Sequence, residues 1–132
     1  MSRTRLTTPT IEDFERLAAE ALAGIPEELR RHVQDVVIRI EEFPDRGTLH
    51  DMRLHSPYDL LGLYRGVSLN QKSIFDSGRL PDLIYLYRQP LLAYWRSTGE
   101  DLRRLIQHVM IHEIGHHFGF SDEDMEAIEA LD

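Results

Sequence analysis

A chain of 132 residues with 15 basic and 23 acidic side chains and no cysteine excludes several kinds of protein at once. The length fits one domain over residues 1–132, and the missing cysteines rule out disulfides, thiolate-held zinc, iron–sulfur clusters and thiol nucleophiles. A formal charge of −8 argues against nucleic acid as a partner, and no apolar run is long enough for a membrane span.

Residues 1–9 read as a flexible polar arm. No apolar stretch follows Arg3 and Arg5, so the arm is not a secretory signal and the cytoplasm is the expected compartment. Thr10 with Asp13 has the spacing of a capping box, and Phe14, Leu17, Ala18, Ala21 and Leu22 then recur at helical intervals until Gly24 and Pro26. Pro26-Glu27-Glu28 starts a second, short helix. Val36–Phe43 is β-branched and stopped by Pro44, hence a strand. The polar stretch Asp45–Tyr58 is expected to be a loop. Leu60–Leu69 and Leu83–Arg88 are two further strands, separated by a loop over Asn70–Asp82 that carries Gly78 and Pro81.

Pro90 opens a helical patch, Leu91–Trp95, which Gly99 breaks. Ser97 and Glu100 form a second capping-box pattern ahead of the longest helix signal, Glu100 to about Phe118, with Leu102, Leu105, Ile106, Val109 and Met110 on one face. Gly119 stands where a helix C-terminal glycine belongs, and Ser121 with Asp124 caps a last helix containing Met125, Ile128 and Leu131. The expected fold class is α+β: a small sheet of about three strands packed with helices, one of them long.

That long helix contains His112-Glu113-Ile114-Gly115-His116. Histidines four residues apart share a helix face and can hold one metal ion, while Glu113 stays close enough to reach a metal-activated water without being a ligand. Shuffling this composition would produce H-E-x-x-H about 3% of the time; requiring Gly119 and an Asp or His at position 122 lowers that to roughly 0.03%. The extension has a physical sense. Two ligands on one helix leave zinc without its third, so the chain must turn back soon after His116. Gly119 permits the turn, and Asp122 can complete a His-His-Asp set with the fourth position open.

The run from His112 to Ile128, together with Gly62–Val67 and Tyr85–Leu92, resembles the bacterial minimal zincins, small zinc metallopeptidases. The resemblance extends from about Val36 onward. It implies a compact zincin-like domain with the active-site helix packed under a small sheet, one Zn2+ held by His112, His116 and Asp122, and Glu113 as general base. A peptide or protein would be the substrate. Metzincins have His where Asp122 stands, and Met125 follows too closely to be their Met-turn.

Several residues carry competing readings. Asp122, Glu123 and Asp124 all lie in the first turn of a helix, where acids are favoured on their own account, and Asp124 is the alternative third ligand. His108 shares the face of His112, whereas His117 points away. Tyr64, Tyr85 and Tyr87 could stabilise an oxyanion or simply pack a sheet. An extended substrate could pair with an exposed edge of Leu60–Leu69 or Leu83–Arg88. Two other functions compete with hydrolysis of peptides. One is a zinc-holding interaction domain with little catalysis; the other is a metal-dependent endoribonuclease with His-x3-His-x5-His spacing, against which Glu113 and the acidic charge both weigh.

Overall fold

The computed structural model describes residues 7–33, 35–66 and 81–130. In chain order it contains α1 (Ile11–Ala23), α2 (Glu27–Arg30), β1 (Val37–Glu41), α3 (Arg46–Asp51), β2 (Gly62–Arg65), β3 (Leu83–Tyr87), α4 (Arg88–Thr98), α5 (Leu102–His117) and α6 (Asp122–Glu129). The sheet has the order β1-β3-β2. β1 runs parallel to β3, and β2 runs antiparallel to it. This is the expected α+β architecture, a small three-stranded sheet packed with helices.

Alternation along the strands decides what the sheet packs against. Ile84 and Leu86 of β3 are fully buried, with Ile38 and Ile40 of β1 alongside them in the core. Gly62 and Tyr64 of β2 join that face, where a Cβ at Gly62 would stand 2.9 Å from Val109 Cγ1 of α5. Thus α5 lies almost on the β2 backbone, and only a glycine leaves room for it. Phe14, Ala18 and Ala21 of α1 pack against Leu105, Ile106, Val109 and Met110 of α5 in the same core. The buried Gln107 amide there donates to the Ala21 carbonyl at 3.1 Å, so its polar end is satisfied.

Local chemistry explains where the expected boundaries moved. Residues 45–58 are not all loop. The Asp45 carboxylate accepts the Thr48 N–H at 2.7 Å and starts α3, and Ser56 opens a 3-10 turn at Pro57–Asp59. Both elements are too short to show a periodic apolar pattern. Helix α4 begins directly after β3, with Pro90 in its first turn, where a missing N–H costs nothing. The pair Ser97/Glu100 does not cap α5. Ser97 remains inside α4 and donates to the Tyr94 carbonyl, and Asp101 is the cap, accepting the Arg104 N–H at 3.1 Å. The boxes at Thr10/Asp13 and Ser121/Asp124 form as the spacing predicts.

At the other end, the Pro9 carbonyl accepts two hydrogen bonds from Arg88, and Thr8 contacts Arg96. The last part of the expected arm is therefore tied down, while residues 1–6 lie outside the described residues, as do 67–69 of the second expected strand and 70–80 of the loop after it. Among the described residues, no helix is long and apolar enough to cross a membrane.

Candidate metal centre

Helix α5 carries a ladder of histidines at positions 108, 112 and 116, each about 6 Å further along the axis than the one before. What stands opposite is set by how the chain leaves the helix. The Phe120 N–H returns to the Gly115 carbonyl at 2.8 Å and the Gly119 N–H to that of His116 at 3.3 Å, with Gly119 at φ +83°. This is a Schellman closure, and it needs a residue that tolerates positive φ. The reversal delivers Ser121, whose capping box starts α6, and α6 folds back along α5. Gly115, between His112 and His116, makes the close approach possible, since a Cβ there would collide with the fully buried Met125 sulfur.

Folding back brings two carboxylates of α6 against the ladder. Asp122 Oδ1 lies 3.5 Å from His116 Nε2, and Glu129 Oε1 lies 3.5 Å from His112 Nε2. The second Glu129 oxygen is 2.7 Å from His108 Nδ1. Two triads result, His112/His116/Asp122 and His108/His112/Glu129, each with its donor atoms within 4.8 Å of one another. Tetrahedral zinc at about 2.0–2.1 Å from its ligands sets neighbouring donors roughly 3.4 Å apart. The 3.5 Å separations match that edge, and neutral imidazole with carboxylate is a donor set suited to zinc.

Three of the four residues expected at the site, His112, His116 and Asp122, therefore come together. Asp124 is occupied elsewhere, accepting the Ser121 N–H at 3.1 Å. Glu129 is the carboxylate that sequence reading missed. Its position seven residues after Asp122 is two helical turns, which places both on one face of α6, and that spacing was the available signal. His117 lies off the ladder, its ring 4.2 Å from that of Tyr64.

Glu113 is held differently from the ladder. Burial raises its pKa, against the opposing pull of a charged His116 and of a hydrogen bond from the Tyr64 backbone N–H. The sheet register explains that last contact. The Tyr87 N–H bonds the Leu61 carbonyl at 3.0 Å, so in this antiparallel pair residues 61, 63 and 65 exchange hydrogen bonds with β3, while the N–H groups of 62 and 64 point to the opposite edge. The outward N–H of Tyr64 meets Glu113 there. Desolvation of this kind moves a carboxyl toward the range useful for a general base.

The tyrosines separate cleanly. Tyr85 and Tyr87 project from the sheet face away from α5, lining a recess of about 190 Å³ with Glu41, Phe43 and Arg65, so they do not serve the site. Tyr64 is on the α5 side, but its hydroxyl donates to Asp82 at 2.6 Å, and burial keeps it protonated far above its ordinary pKa.

A family model described as zincin-like metallopeptidase matches residues 33–131. The chain belongs to the zincin-like metallopeptidases. No curated protein matches it significantly. Zincin membership implies a metal, typically zinc, and the histidine ladder with its two carboxylates supplies fitting donors.

Proposed function

We propose that this zincin is a zinc-dependent peptidase in which His112, His116 and Asp122 hold the ion and Glu113 is the general base. The observation that carries the reading is the convergence of two independent constraints on one spot. The helix spacing and Schellman turn bring Asp122 to His116, and the sheet register brings a backbone N–H to Glu113 beside that same histidine. Bound zinc would polarise the scissile carbonyl and acidify water. The protein's own residues do the rest. The Tyr64 N–H fixes the Glu113 carboxylate in orientation, burial keeps it basic, and Glu113 takes a proton from water and passes it to the leaving amine. Asp122, on the exposed first turn of α6, would hold a bound ion from its solvent side.

The substrate is an extended peptide. β3 is hydrogen-bonded on both sides and offers no edge, which removes Leu83–Arg88 as the docking strand. β2 is an edge strand among the described residues, and Glu113 stands at that edge, so a peptide added there would pass its carbonyl groups by the base. The test is Glu113→Gln assayed on a mixed peptide library. It should retain stoichiometric zinc while losing turnover by about 10²–10⁴-fold. Undiminished cleavage by this variant, or wild-type protein that takes up no zinc, would overturn the reading.

A further inference from the structure

His108 and Glu129 have no part in that chemistry, yet together with His112 they are as well furnished for a cation as the upper set. His108 and His112 are four residues apart, with ring centroids 4.3 Å apart. Glu129 reaches both, at 2.7 Å from His108 and 3.5 Å from His112. Glu129 spans both imidazoles, with Oε2 at hydrogen-bond distance from His108 and Oε1 facing His112, and the three residues hold their donor atoms within 4.8 Å of one another. Glu129 is also less exposed than Asp122, at 27% against 85%.

We propose that α5 carries a second zinc position, formed by His108, His112 and Glu129, which excludes the first because both draw on His112. A neutral imidazole offers one free lone pair, so His112 serves one ion at a time. The protein then binds a single ion that exchanges between two stations one helical turn apart. On the preceding reading Glu113 serves the upper station. The proposal rests on the preceding reading for the role of His112, and the test separates the two.

Zinc alone is the probe, followed by equilibrium dialysis with metal analysis and by the visible spectrum of the cobalt-substituted protein. Wild type should bind one ion. His116→Ala should still bind one, through the lower station, and His108→Ala one, through the upper. The two cobalt spectra should differ, and the double variant should bind none. Loss of zinc from His116→Ala with retention by His108→Ala would overturn the second position and leave the proposed function standing. The reverse pattern would put the sole ion at the lower station and overturn both. Two ions bound per wild-type chain would overturn the exclusion. Asp122→Asn and Glu129→Gln repeat the comparison with changes confined to the carboxylates, should a histidine variant fail to fold, and melting of the metal-free proteins checks that each is folded.

Discussion

The two ends of α6 treat the histidines they face in opposite ways. Asp122 opens the helix, exposed at 85%, and approaches a single histidine, His116. Glu129 closes it, is largely covered, and divides its oxygens between His108 and His112. The helix macrodipole widens the contrast, because it stabilises an anion on the first turn and opposes one on the last. An exposed ligand leaves room for water and substrate, and a covered, doubly engaged one does not. Under the proposed reading, the same helix would present an open station beside Glu113 and a more covered one a turn away.

The largest expected effect comes from exchanging these ends. Asp122→Ala should lower peptide cleavage by more than the roughly 10–100-fold that removing a residue orienting a metal ligand costs, and Glu129→Ala should still take up one zinc on His112 and His116. Assays of cleavage and metal content on both would erase the contrast if the losses came out equal. Gly115→Ala attacks both ends together. The added methyl meets Met125, so α6 must shift from α5, at about 1–3 kcal/mol. A thermal melt should show the destabilisation and dialysis a weaker hold on zinc; an unchanged melt would mean that α6 is not seated through Met125.

A smaller change tests α6 alone. Ser121→Ala removes the hydroxyl that caps it, at about 1 kcal/mol. Since Asp122 is the next residue, hydrogen exchange should quicken at the open end before the closed one. Acid gives the finest separation. Protons compete with the ion for the imidazole nitrogens of His112 and His116, so acidification should release zinc. The α3 cap lies far from these events. The hydrogen bond from the Thr48 N–H holds the Asp45 carboxyl below the usual aspartate range. A carboxyl depressed on folding contributes stability above its unfolded value and loses it as pH falls through the folded one. Proton-monitored titration should therefore find the metal gone while the Thr48 amide is still bonded. Simultaneous loss would mean that acid unfolds the domain as one step.

Much of this was legible in residue order. The capping boxes at Thr10 and Ser121, the glycine after His117 and the H-E-x-x-H spacing are local patterns, each fixed within a few residues, and each appears in the structure as spaced. Short elements were harder to read. α3 spans only Arg46–Asp51 and rests on one Asp side chain, which no periodicity announces. The unbroken apolar run of β3, Leu-Ile-Tyr-Leu-Tyr, is typical of a strand with neighbours on both sides, a signal that could have removed it as a docking edge.

The sequence by itself determined that two histidines and a glutamate share a helix turn and that the chain reverses just beyond them, because helical period and positive φ are properties of neighbouring residues. Only the tertiary structure decided which carboxylates meet which histidines and which backbone amide holds Glu113. Those depend on α6 lying back along α5 and on the register of β2 against β3, and both are set by packing between segments distant in sequence: Met125 against Gly115, and Gly62 beneath Val109.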